Sequence, residues 1–139
     1  MSVLAPSVHT LILEEQERQH GAFISGVDLD AYLAKLGARA EFLADFGDGR
    51  CRGFVAYYCN DRTTRQAYIT LVLVDPRDRG HGLGRTLVAG VLSLAGQRGF
   101  SSCRLEVATS NHAARDLYTS LGFTLVQDRE GKSLLEVQL

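Results

Sequence analysis

The stretch VDPRDRGHGLGRTLV, residues 74–88, places glycines at positions 80, 82 and 84 between an apolar run and a segment of helical periodicity. Glycine at that density gives up side-chain packing and costs backbone entropy, so a ligand that approaches the backbone is the natural reason for it. The first turn of a helix offers unpaired N–H groups and the positive end of its dipole. Glycines let a phosphate lie directly against those groups. Arg79 and Arg85 add positive charge. The run Arg79, Gly80, His81, Gly82, Leu83, Gly84, Arg85 and Thr86 is therefore the candidate anion site, with pyrophosphate as its expected guest.

Two other phosphate loops do not fit. A P-loop needs lysine and then serine or threonine after its last glycine, and here Gly84 precedes Arg85. A dinucleotide fingerprint needs G-x-G-x-x-G, and the sixth residue is Arg85 counted from Gly80 and Leu87 counted from Gly82. What remains is R-x-x-G-x-G at Arg79, Gly82 and Gly84.

The elements on either side must position this loop. Before it, QAYITLVLV is apolar on both faces and rich in β-branched residues, which predicts a central strand ended by Asp75-Pro76. After it, Leu87, Val88, Val91 and Leu92 form a helical stripe that stops near Gly99. SCRLEVAT predicts a strand. NHAARDLYTSLG predicts a helix, capped by Ser110 or Asn111 and closed by Gly122. The C-terminal residues predict two strands around Glu130-Gly131. Upstream, EFLADF and RGFVAYYCN predict a hairpin around GDG. Leu29, Tyr32, Leu33 and Leu36 predict a helix with Asp28 as its cap. In residues 7–20 the apolar cluster at Leu11, Ile12 and Leu13 suits a short strand, but the following EEQERQ favours helix, and helix is expected. The fold class that results is α/β (α+β), with a single mixed, largely antiparallel central sheet flanked by helices.

The 139 residues suit one domain, with 1–50 as two helices and the first strand of the hairpin, and 51–139 as the core. A net charge of −1 argues against a nucleic-acid binder that relies on bulk electrostatics. Residues 13–48 hold eight acids and three bases, a net of −5, which leaves +4 for the rest. One region therefore favours cations and the rest could accept an anion. Cys51, Cys59 and Cys103 are odd in number and without metal-ligand spacing, so reduced thiols in a cytoplasmic protein and no metal are expected. No apolar run reaches the length of a membrane span. Exposed sheet edges would allow a homodimer.

The R-x-x-G-x-G loop after a V-x-P strand end, followed by N-x-x-A-x-x-x-Y-x-x-x-G-F at Asn111, Ala114, Tyr118, Gly122 and Phe123, resembles the GNAT superfamily of N-acetyltransferases over Tyr68 to about Val126. Residues 1–50 carry no comparable signature. The resemblance implies a GNAT-like acyl-CoA fold, with acetyl-CoA as cosubstrate. It implies that backbone groups of Val72, Leu73 and Val74 pair with the pantetheine arm, that the strand splays to free them, and that the loop binds the pyrophosphate. Tyr118 becomes the candidate general acid, and Asn111 either contacts the pantetheine arm or only caps its helix. Glu106 is the first choice of general base, because a base must reach the amine directly or through water. Tyr57, Tyr58 and Asp61 could hold a water chain, though alternation forbids both tyrosines from lining one cleft. His20 and His112 have suitable intrinsic pKa values. The expected activity is acetyl transfer to a primary amine, on a small amine or amino sugar. The alternatives are a protein or peptide acceptor, and a CoA-binding module without chemistry.

Overall fold

The computed structural model describes residues 4–139. Helix α1 (Pro6–Arg18) and helix α2 (Leu29–Arg39) lead into strands β1 (Glu41–Gly47), β2 (Arg50–Tyr58) and β3 (Gln66–Val74). A short 3-10 turn (Pro76–Asp78) and the glycine loop then enter α3 (Leu83–Gln97). β4 (Ser102–Ala108), α4 (His112–Ser120), β5 (Thr124–Arg129) and β6 (Lys132–Gln138) complete the chain. The six strands form one sheet in the order β1-β2-β3-β4-β6-β5. Among the described residues only β3 and β4 pair in parallel, and α3 makes the crossover between them.

Of residues 7–20, those up to Arg18 form the expected helix, for a physical reason. Val8, Leu11, Ile12 and Glu15 are buried at helical spacing while Leu13 is turned outward, which no strand could achieve. Pro6 at the first turn presets the helical φ. Asp28 stands at the N-terminal boundary of α2, but its side chain makes no capping bond, contrary to the expected role. Both hairpins turn through pairs with positive φ, Asp48-Gly49 and Glu130-Gly131, which suit the twist of two-residue connections.

The sheet separates two cores. Val88 and Val91 of α3 and Tyr118 of α4 pack with Val55, Tyr57 and Leu105 on one face. Leu11 and Ile12 of α1 and Leu33 and Leu36 of α2 pack with Phe54, Ala56 and Leu73 on the other. Strand β3 serves both through a bulge. Its partners skip from Ile69↔Tyr57 to Leu71↔Ala56, so Thr70 is the extra residue. Ala67 and Ile69 face α3, but after the bulge Leu71 and Leu73 face α1 and α2. This inversion explains why QAYITLVLV reads as apolar on both faces.

Candidate active site

The parallel ladder of β3 and β4 ends at Ile69↔Leu105, although β3 runs on to Val74 and β4 to Ala108. Beyond that point the strands part. Asp75 N–H donates to Arg52 O on the β2 side. By strand alternation, the backbone polar groups of Leu73 also turn toward β2, while those of Val72 and Val74 face the gap. A cavity of about 550 Å³ fills the gap, lined by Val72, Val74 and Val107 and by Gly80, Asn111 and Tyr118. Leu73, Arg79 and Gly84 complete its loop side, with Glu15, Gln19 and Phe23 on the α1 side.

At the mouth of this cavity lies the glycine loop. From Arg79 through Arg85, no backbone N–H has a protein partner among the described residues, and Thr86 N–H is the first to donate, to Gly82 O. Gly80 and Gly82 have φ of 84° and 79°, and Gly82 is the N-cap of α3. Gly84 is helical, and a Cβ there would touch Val74 and Leu117 at ordinary distances. The conformation therefore requires glycine at 80 and 82, and at 84 leaves room beside the strand. Asp75 anchors the loop's start. Its side chain accepts from Arg77 N–H and from the Arg77 guanidinium, and Arg50 approaches to 3.3 Å. The hydrogen bond from Arg77 leads these effects and holds the Asp75 carboxyl down to about 2.

The two arginines flanking the loop are not free. Arg79 donates through Nε to Val74 O at 2.9 Å and through Nη2 to Glu15 at 3.1 Å. Arg85 donates to Ser120 Oγ. Glu15 is 5% exposed and also accepts from Arg18 and Gln19. Burial pushes its carboxyl up, but the bonds from Gln19 and Arg18 and the charge of Arg79 outweigh that and leave it lowered. His81, Gly82, Leu83, Arg85 and Thr86 stand outside the cavity wall, along the loop crest and the first turn of α3.

Tyr118 is buried, packs edge-on against Phe123 at 5.7 Å and has no hydrogen bond from its hydroxyl among the described residues. Burial pushes its phenol up to about 12, which keeps it a proton donor. Asn111 is the cap of α4. Its Oδ1 caps Ala114 N–H at 3.2 Å, and the residue also lines the cavity.

Glu106 lies in a second cavity, of about 420 Å³, which shares Phe23 and Val107 with the first and also holds Tyr32, Tyr68, Thr70 and Lys132. It accepts a hydrogen bond from Tyr68 at 3.2 Å. Burial and then the neighbouring Glu106 charge push the Tyr68 phenol upward. Of the other candidate bases, Tyr57 is in the core and Tyr58 faces the opposite side of β2. Asp61 is occupied by Thr63 N–H and Thr64 N–H in its own loop. His20 and His112 are exposed and line neither cavity.

The acidic region does not paint the cleft. Of its eight acids only Glu15 lines either cavity, and it is tied to Arg18 and Arg79. Glu41 pairs instead with Arg98, and Asp48 with Arg52. Sequence reasoning also missed Glu15 and Tyr68. Tyr68 could be found only from the β3–β4 register, because Tyr68↔Arg104 sets it two positions from Glu106 along the neighbouring strand.

The described residues contain no cluster fit for a metal ion and no helix long and apolar enough to cross a membrane. The profile of the Acetyltransferase (GNAT) family matches residues 8–123. The thialysine N-epsilon-acetyltransferase of Bos taurus is 35% identical over 97 residues, covering 66% of this chain and 57% of that protein. The mycothiol acetyltransferase of Thermobispora bispora is 46% identical over 56 residues, covering 40% of this chain and 19% of that protein. The chain thus spans between about a fifth and three fifths of the length of these relatives. The fold matches that of the PaiA N-acetyltransferase of Thermoplasma acidophilum in complex with coenzyme A, with a TM-score of 0.68 and 16% identity over 99% of this chain and 81% of that one.

Proposed function

The chain belongs to the Acetyltransferase (GNAT) family, and from that premise we propose that it transfers the acetyl group of acetyl-CoA to the primary amine of a small acceptor. The observation that carries this reading is the parting of β3 and β4 beyond Ile69 and Leu105, with unpaired loop N–H groups at its mouth.

Acetyl-CoA fits the residues present. The loop N–H groups from Arg79 to Arg85 would take the pyrophosphate, as phosphates bind at helix N-termini. The amide and carbonyl of Val72 and the amide of Val74 would pair with the pantetheine arm, in the manner of an added strand. The Val74 carbonyl is already met by Arg79. When bound, this cosubstrate supplies an acetyl group activated as a thioester.

The chain's own residues then divide the proton work. Glu106, with Tyr68 bonded to it, would take the proton from the acceptor nitrogen, directly or through one water. Tyr118, from the first cavity, would give a proton to the departing sulfur. One N–C bond forms, one C–S bond breaks, and each proton has a named carrier. A small-molecule acceptor is supported by the names of the Bos taurus and Thermobispora bispora relatives, which are given for thialysine and mycothiol. The three free, buried cysteines support a reducing, cytoplasmic setting.

The test is thiol release from acetyl-CoA across a panel of small amines, amino sugars and peptides, alongside calorimetry with CoA. Release with small amines is expected. Release with peptides alone would move the assignment to a protein acceptor, binding without release would leave a CoA-binding module, and no binding would reduce the loop to a turn.

A further inference from the structure

A third cavity continues the acceptor side. It measures about 620 Å³ and is lined by Tyr32, Lys35, Arg39, Tyr58, Asn60 and Thr70. Tyr32 and Thr70 also line the cavity that holds Glu106, so the two form one groove along the α2 face of the sheet. Tyr32 and Thr70 stand at the waist, hydroxyl to hydroxyl at 3.5 Å. The end toward the split holds one carboxylate and one cation, Glu106 and Lys132, whereas the far end holds two cations and no carboxylate. Glu106 sits toward the split, beside Tyr68. At the far end are Lys35 and Arg39, four residues apart and so on one side of α2. Neither has an ion-pair or hydrogen-bond partner among the described residues, whereas Arg18, Arg50, Arg77, Arg79, Arg98 and Arg104 are each paired with a carboxylate.

We propose that the far end is an anion subsite: the acceptor is an amine that also carries an oxyanion, a carboxylate or phosphate, held by Lys35 and Arg39 with the Tyr58 and Asn60 side chains beside them. This rests on the proposed acetyl transfer and names its substrate class. The reasoning is one of unmet charge. Two cations placed together on an otherwise acidic stretch repel one another, and an anion between them relieves the repulsion and gains charge-assisted hydrogen bonds. The geometry also sets a length. Tyr32 to Arg39 spans seven residues of helix, roughly 10 Å along the axis, so amine and anion should be separated by a chain of several atoms. An α-amino acid reacting at its α-nitrogen is too short, and a side-chain or terminal amine is the fitting nucleophile. The predicted recognition is thus the reverse of that expected from the acidic composition of residues 13–48: the acceptor's anion, as well as its amine, is read.

The experiment compares matched acceptors: 6-aminohexanoate, 6-aminohexyl phosphate and hexylamine. Each is run with acetyl-CoA on the wild-type protein and on the Lys35→Ala/Arg39→Ala variant, whose altered side chains are exposed. The wild type should favour at least one anionic acceptor over hexylamine by about tenfold or more in kcat/KM, and the double variant should lose most of that ratio. The carboxylate and phosphate arms tell which anion is preferred. Equal kcat/KM for all three amines on the wild type, or an unchanged ratio in the variant, would overturn the subsite. A second readout separates this from failure of acetyl transfer. Backbone amide resonances of Arg39 and Asn60 are followed as 6-aminohexanoate and 6-aminohexyl phosphate are titrated into CoA-saturated protein. Shifts present in the wild type and absent in the variant, with no turnover of any amine, would keep the anion site while removing the proposed reaction. No shift and no turnover would overturn both.

Discussion

Tyr68 donates its hydroxyl to Glu106 Oε1 at 3.2 Å across β3 and β4, just where the ladder between those strands is about to end. The pair therefore straddles the last rung, Ile69↔Leu105, with Tyr68 one residue before it and Glu106 one residue beyond it, and the carboxylate is fixed by a neighbour that burial keeps protonated. A base held in this way loses little entropy when it meets an amine.

Glu106→Gln removes the proton acceptor and keeps the shape. It is expected to lower kcat by about 10²-fold or more, as loss of a general base does, with CoA affinity intact by calorimetry. Tyr68→Phe leaves the carboxylate in place and should cost much less. Wild-type turnover in Glu106→Gln would assign deprotonation to water.

Tyr118→Phe is expected to slow turnover by about tenfold while CoA still binds, since a thiolate leaves with only modest help from an acid. Because the Tyr118 phenol is pushed up to about 12, it stays protonated through the usual assay range. The wild-type kcat should show no basic limb from this residue below about pH 10. An equal rate for Tyr118→Phe would give the acid's role to another group.

Asp75→Asn tests the anchor of the glycine loop. The folded carboxyl lies at about 2, below its unfolded value near 3.8. Its contribution to stability is therefore complete above the unfolded value and disappears as pH falls through the folded one. The urea midpoint of the wild type should decline between pH 4 and 2. In Asp75→Asn part of that decline should be missing, and stability at neutral pH should be lower by roughly 1–3 kcal/mol. A midpoint curve parallel to wild type would show that the Asp75–Arg77 contact carries no net stability.

Two glycines of similar surroundings should respond in opposite ways. A Cβ at Gly82 or at Gly96 meets no neighbour within 4 Å, so packing separates neither from alanine. Gly82 has φ of 79° and Gly96 lies within α3. Gly82→Ala should cost about 1 kcal/mol in backbone strain and weaken CoA binding. Gly96→Ala should stabilise by roughly 0.5–1 kcal/mol and leave CoA binding alone. Thermal melts and CoA calorimetry on both variants decide the matter.

Much of the architecture was legible from local pattern. The hairpins announced themselves through GDG and Glu130-Gly131, and α3 through its apolar stripe. The parting of β3 from β4 was expected only through the resemblance, because pairing between distant strands leaves no mark in either one. Arg79 illustrates a different limit. Its position in R-x-x-G-x-G suggests a phosphate ligand, yet Glu15, sixty-four residues away, claims its guanidinium. Asp28 looked like a cap by type and place, and its side chain does not bond the helix. Residue type shows what a side chain can do, and only the partners brought to it by tertiary structure determine what it does.

The extra residue at Thr70 makes β3 two half-strands joined back to front. Substitutions at 67 and 69 will be felt beneath α3, and those at 71 and 73 beneath α1 and α2. Deleting Thr70 would leave a regular ribbon in which Leu71 follows Ile69 directly and both leucines stay on the α1 and α2 side, whereas deleting Val72 would carry Leu73 round beneath α3. A one-residue deletion in this strand should therefore be borne best at the bulged position and worst just beyond it.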